Sequence, residues 1–231
     1  MSRPSPRARS RSAASSSVRP PTPEQAPGAD PAALEEVLAE SAALGFLGPG
    51  PVESHISHAA GFVAALRPAR RILDLGAGGG VPGLVVAWAR PETILVLLDA
   101  SVRRTDFLRR AVGRLDLAAR VTVVTAQAET AGRDLAWRYG FDAVIARSFG
   151  EPAVTAEAAA PFLRVGGQLV VSEPPEPADD RWPRDGLALL GLVADSTDAG
   201  AGVASFTQVE PCPARFPRRR LQPPLFHVEP R

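Results

Sequence analysis

The residues best able to do chemistry gather in the run Arg71-Ile-Leu-Asp-Leu-Gly-Ala-Gly-Gly-Gly-Val-Pro-Gly-Leu84, an apolar stretch that breaks into glycines. Gly76, Gly78, Gly79 and Gly80 can take up backbone angles closed to other residues, so a ligand can lie against the main chain. The pattern is that of a nucleotide pocket at the carboxyl end of the first strand of a doubly wound α/β sheet. A glycine turn alone does not choose the nucleotide, because dinucleotide enzymes hold a pyrophosphate the same way. Thr93-Ile-Leu-Val-Leu-Leu-Asp99 adds a second buried strand ending in an acid about 20 residues on, where a carboxylate can accept both hydroxyls of a ribose. This fits NAD and S-adenosylmethionine equally. Asp74 tips the balance: an acid just before the glycines would repel a pyrophosphate and welcome a sulfonium and ammonium ligand.

Other chemistry-bearing residues are sparse. Cys212 is the single cysteine, which excludes a disulfide framework and a cysteine-based zinc cluster and agrees with a reducing cytosol. His55, His58 and His227 lack zinc-ligand spacing, so no metal is expected. All 26 basic residues are arginine and the net charge is +1, so any nucleic-acid surface must be local. No apolar run reaches the length of a membrane span.

The elements that must position these groups follow from periodicity. Residues 1–31 are rich in Pro, Ser and Arg, cannot bury enough surface to fold, and are read as a disordered tail whose arginines add salt-sensitive phosphate affinity. Asp30-Pro31 is an N-cap with proline at the first helical position, opening a helix through Leu34, Val37 and Leu38. Val52 to Leu66 reads as a second helix, so that residues 32–68 form a small helical cap before a domain over 69–231. Ser101 to Leu117 is an amphipathic helix capped by Ser101, with Arg103, Arg104, Arg109, Arg110 and Arg114 off its apolar face. These arginines face RNA phosphate or merely solvate the helix. Val121 to Thr125 and Phe141 to Ala146 are the third and fourth strands, the fourth delivering Arg147, Ser148 and Phe149 to the ligand edge. Pro152 to Leu163 reads as a helix, Gly166-Gly167 as a tight turn and Gln168 to Ser172 as the fifth strand. Leu187 to Val193 and Val203 to Val209 are expected to close the sheet as an antiparallel hairpin.

Four blocks carry a family resemblance. Leu73-Asp-Leu-Gly-Ala-Gly-Gly-Gly-Val-Pro-Gly83, Leu97-Leu-Asp-Ala-Ser-Val-Arg-Arg-Thr-Asp-Phe-Leu108, Phe141-Asp-Ala-Val-Ile-Ala-Arg-Ser148 and Pro161-Phe-Leu-Arg-Val-Gly-Gly-Gln-Leu169 resemble, in order, the bacterial glucose-inhibited division protein B family. The resemblance runs from roughly Gly45 to Leu225, and its joint order is far more specific than one glycine motif. It implies a Rossmann-like class I methyltransferase sheet with a small N-terminal helical cap, S-adenosylmethionine as cofactor, and methylation of N7 of a guanine in 16S rRNA, on the free RNA or the small ribosomal subunit. It further implies a cytoplasmic monomer. Carried over residue by residue, Asp74, Gly76, Ala77, Gly78, Val81, Asp99, Ala128, Glu129 and Arg147 are the cofactor contacts, with Arg147 also the candidate orienting residue. His58 is the best match to the family's helix histidine. The chain departs from the pattern in the cap, and has Ser172-Glu173-Pro174-Pro175 where the family often has lysine and glycine. Guanine N7 carries a free lone pair, so no general base is needed. Adenine amino methylation goes with a different signature after the fourth strand, where this chain has Arg147-Ser-Phe-Gly, and cytosine carbon methylation needs a cysteine nucleophile. The competing readings are a small-molecule methyltransferase of the same fold, an RNA-binding or ribosome-assembly protein that keeps the pocket without transfer, and a nicotinamide-dependent enzyme.

Overall fold

A computed structural model describes residues 30–177, 180–195 and 202–226. The expected disordered tail and His227 lie outside these residues, apart from the cap at Asp30 and Pro31. Two helices come first, α1 (Pro31–Ala43) and α2 (Val52–Ala65). Strands and helices then alternate: β1 (Arg71–Leu75), α3 (Gly83–Ala89), β2 (Ile94–Asp99), α4 (Val102–Arg114), β3 (Val121–Thr125), α5 (Ala128–Ala131), β4 (Phe141–Ala146), α6 (Pro152–Ala159) and β5 (Leu163–Ser172). The described part closes with α7 (Arg184–Ala188), β6 (Leu192–Ala194), β7 (Val203–Gln208) and an extended segment to residue 226.

The seven strands form one sheet in the order β3-β2-β1-β4-β5-β7-β6. β1 to β5 run parallel, and β7 is antiparallel to both β5 and β6. Parallel strands need both faces covered, which is why β1, β2 and β4 are apolar throughout. Alternate residues sort to the two faces. Ile72, Leu95, Leu97 and Ile145 pack with α1 to α4 in one cluster. Leu73, Leu75, Leu98 and Val144 pack with Ala156, Leu187 and the C-terminal Cys212 and Phe216 in the other. Strand order reverses beside β1, where β2 lies on one side and β4 on the other, so the mouth of the sheet opens at the ends of these three strands.

The helix caps follow from composition. Asp30 accepts from Ala32 N at 3.0 Å, and Ser101 accepts from Arg104 N at 3.5 Å. Three local expectations need correction. α6 stops at Ala159 because Pro161 has no N–H to continue the ladder, and a 3-10 turn, Ala160–Phe162, follows instead. β5 then begins at Leu163 and runs through the glycines, which absorb a register shift against β4 between Phe141 and Ala143 and do not form a separate turn. Finally, the stretch from Leu187 opens in α7: Leu187 and Leu190 are both buried at helical spacing, and only Leu192–Ala194 pairs with β7.

The C-terminal segment belongs to the fold. Arg138 donates to the carbonyls of Gly132, Cys212 and Phe216 at 3.0, 2.8 and 2.6 Å. Arg218 grips the fully buried Glu157, its Nη2 donating to Oε2 at 2.6 Å.

Candidate active site

The glycine loop is shaped from both sides. Gly76 N and Ala77 N donate to Leu98 O at 2.8 and 2.9 Å, which draws the loop across the end of β2. Gly76 sits at φ +72, and a Cβ there would meet the Phe149 ring at 2.6 Å. At Gly79 a Cβ would meet Ser41 Oγ at 2.5 Å and Phe46 O at 2.7 Å, while Ser41 Oγ donates to Gly79 O at 2.8 Å. The N-terminal helices thus clamp the loop directly.

Asp99 accepts from Gly78 N at 2.9 Å through Oδ2 and from Ser101 N at 2.8 Å through Oδ1, with Arg104 Nη1 3.7 Å from Oδ2. An ionised carboxylate has about four acceptor positions, so both oxygens keep capacity for further donors. Asp74 behaves differently. It is fully buried, its Oδ2 accepts from Gly83 N at 2.9 Å, and its Oδ1 has no partner. Burial pushes its carboxyl up to about 7, partly offset by the Gly83 N–H, with Asp99 adding to the rise and Arg147 opposing it. Asp74 is therefore a reservoir of partial charge behind the loop, and it lines none of the three cavities described here.

The other carried-over residues reach cavity walls. Gly76, Asp99, Ala128 and Glu129 line a small cavity of about 60 Å³. Gly76, Ala77, Gly78, Val81 and Arg147 line a second, of about 210 Å³, together with Arg104 and Phe46. A third, of about 400 Å³, opens on the far side of Arg147, Ser148 and Phe149. Arg147 and Ser148 belong to the walls of the second and third cavities, and Phe149 to those of the first and third, so the loop after β4 is the partition between them. Ser148 holds this loop at φ +52, a left-handed conformation uncommon for a residue with a side chain and typical of functional turns.

Arg147 Nη2 lies 2.7 Å from His55 Nδ1, and His55 Nε2 lies 3.1 Å from Gly48 O. A guanidinium can only donate, so Nδ1 accepts and the imidazole proton sits on Nε2, donating to Gly48. Sequence reasoning missed this pair because it fixed on His58. His58 instead lines the 400 Å³ cavity with its Nε2 buried and without a partner. Its basicity is depressed by burial, then by Arg147 and His55. The two histidines are three apart on α2, one turn of the same face, which is the signal that could have paired them.

Several α4 arginines are occupied by acids. Arg114 contacts Glu40 at 2.6 Å and Glu36 at 3.4 Å, Arg110 contacts Glu40 at 3.6 Å, and Arg109 contacts Asp106 at 2.8 Å. Only Arg104 of this helix lines a cavity described here. Cys212 is buried against the far core, its thiol pushed up to about 11 by burial, with no path to the sheet mouth. Among the described residues no three His, Cys, Asp or Glu side chains come together as a metal site.

Comparison with known proteins places this geometry. The family model for rRNA small subunit methyltransferase G matches residues 51–180. The chain belongs to that family. Curated relatives named ribosomal RNA small subunit methyltransferase G include one from Rubrobacter xylanophilus, 39% identical over 127 residues covering 54% of this chain and 48% of that protein. Another, from Deinococcus radiodurans, is 36% identical over 169 residues, 68% of this chain and 66% of that one. The chain thus spans between about half and two thirds of these relatives' length. Among solved structures, a cofactor-bound protein from MTB superposes with a TM-score of 0.55 at 22% identity, covering 78% of this chain and 92% of that one. A putative O-methyltransferase from Klebsiella pneumoniae gives 0.51 at 21%, covering 78% and 89%. Both share the fold, a class I methyltransferase sheet. Within this member of the methyltransferase G family, the matched region spans β1 through β5 and hence every strand end at the mouth.

Proposed function

We propose that the chain is an S-adenosylmethionine-dependent methyltransferase that modifies N7 of a guanine in 16S rRNA. What carries the reading is the partition at residues 147–149: a glycine-loop pocket on one side, a larger cavity on the other, and a single strained turn between them. The curated relatives' names supply the substrate class.

The residues fit the cofactor on the chain's own evidence. Asp99 has acceptor capacity for a ribose diol, the loop backbone at Gly76 to Gly78 lines the 210 Å³ cavity, and Ala128 and Glu129 close the adenine side. Asp74 has an orphaned buried oxygen that a nearby cation would satisfy electrostatically. When bound, the cofactor supplies a methyl group already activated on a sulfonium. The protein's task is alignment and exclusion of water. Arg147, held by His55, fixes the turn at which donor and acceptor sides meet. N7 has a lone pair, so no residue has to take a proton. The described residues accordingly place no base and nucleophile pair at the mouth. No described helix is long and apolar enough to cross a membrane, and with rRNA as substrate the protein acts in the cytoplasm, as a monomer.

Mapping 7-methylguanosine in 16S rRNA from a deletion strain and its parent tests the proposal. Loss of one modified guanine in the deletion strain is expected. An unchanged map would refute it and leave a small-molecule acceptor or a non-catalytic role.

A further inference from the structure

The 400 Å³ cavity falls in the size range of small-ligand pockets and has a carboxylate in its wall that nothing above uses. Glu173 directly follows β5, and its side chain is only 9% exposed. Trp182 Nε1 donates to its Oε1 at 2.6 Å. Arg181 Nε lies 2.9 Å from Oε2, yet the two are out of line: neither atom has a hydrogen-bond partner. A buried acceptor left without an aligned donor is costly, and a ligand with well-placed N–H groups would relieve it. The position is also right for an acceptor. β4 and β5 are neighbours with Ala146 opposite Val171, and Ser148 N donates to Ser172 Oγ at 3.3 Å, so Glu173 lies beside the turn that carries Arg147.

We propose that Glu173 reads the Watson–Crick edge of the acceptor base, and that this edge is guanine's; the inference rests on the methyl-transfer reading above. A carboxylate offers two acceptors in one plane and no donor. Guanine presents two adjacent donors there, the ring N1–H and the exocyclic N2–H. Adenine and cytosine place a ring-nitrogen acceptor against one carboxylate oxygen, and uracil sets its one N–H between two carbonyls. Unpaired RNA bases are commonly read on this edge. N7 lies on the opposite edge of the purine, so a base held by Glu173 turns N7 away from it, toward the side that residues 147–149 share with the glycine loop.

The test uses the full chain saturated with S-adenosylhomocysteine, titrated calorimetrically with GMP and with IMP, which lacks only the N2 amino group. The native chain is expected to bind GMP about tenfold more tightly than IMP, the worth of one charge-assisted hydrogen bond. Glu173→Gln keeps the size and can still accept from Trp182, but sets an N–H against one guanine N–H. Its preference should fall to within about twofold or pass to IMP, with a thermal melt confirming that it is folded. Equal binding of the two nucleotides by the native chain, no detectable binding of either, or a preference kept by Glu173→Gln would overturn the assignment. If S-adenosylhomocysteine binds and 7-methylguanosine forms while the preference is absent, Glu173 alone is wrong. If S-adenosylhomocysteine does not bind, the underlying reading falls with it.

Discussion

Asp74 makes cofactor binding a proton-linked event. Its carboxyl is pushed up to about 7 mainly by burial, and one oxygen has no hydrogen bond. At pH 7 roughly half the molecules therefore carry a proton there. A cationic ligand in the adjoining loop pocket favours the ionised form, so binding should expel that proton. The expected release is about half a proton at pH 7, approaching one near pH 5.5 and vanishing above about pH 8.5. Affinity should weaken about tenfold per pH unit below about 6. Calorimetry of S-adenosylmethionine binding in buffers of different ionisation enthalpy measures the release, and Asp74→Asn should abolish it. Folding stability shows the same linkage. A carboxyl with its folded pKa raised from 3.8 contributes stability below that unfolded value and loses it as pH rises through about 7, a span of about 4 kcal/mol. A binding enthalpy independent of buffer at pH 6, or an Asp74→Asn variant that still releases a proton, would refute the role of this residue.

Arg218→Ala leaves Glu157 buried and unpaired; because Arg218 is itself a third exposed, the cost is expected at the low end for such pairs, about 3 kcal/mol. A melting temperature lower by roughly 6–12 °C checks it, and an unchanged melt contradicts it. Two glycine substitutions should have opposite signs. Gly79→Ala drives a methyl group into Ser41 and Phe46 and should lower both stability and S-adenosylmethionine affinity. Gly113→Ala meets nothing within 4 Å on exposed α4 and should stabilise by about 0.5–1 kcal/mol in urea unfolding. The Cys212 thiol, raised to about 11 by burial, should resist a disulfide reagent at pH 8 in the native state and react fully on denaturation. Prompt reaction of the folded protein would show that its burial has been misjudged.

The parallel part of the sheet was legible because burial on both faces forces continuous apolar strands, and because each strand here ends in the polar residue that the mouth requires: Asp74 near the end of β1, Asp99 in β2, Arg147 after β4. Eight of the nine carried-over residues reach a cavity wall. Asp74 does not, since a strand's alternation sends it inward with Ile72 to the base of α3, and alternation says nothing of how deep a residue will lie. The clamp of Ser41 on Gly79 and the link from His55 to Arg147 join residues 38 and 92 positions apart, and no local spacing encodes such contacts. The α4 arginines could be read from sequence either as a phosphate surface or as solvating charge; the acids Glu36 and Glu40 that claim two of them arrive from α1, through tertiary packing alone. The short β6 was overextended for the same reason, since Leu187 and Leu190 suit an apolar strand and a helix face alike until burial decides.

The central claim is transfer of a methyl group to a guanine N7 by this chain. The most direct measurement incubates the purified protein with labelled S-adenosylmethionine and 16S rRNA or small subunits from the deletion strain, then identifies the labelled nucleoside by mass spectrometry. The account predicts label in 7-methylguanosine, abolished or strongly reduced by Asp99→Ala. Label on another atom, no label on either substrate, or full incorporation by Asp99→Ala would contradict it.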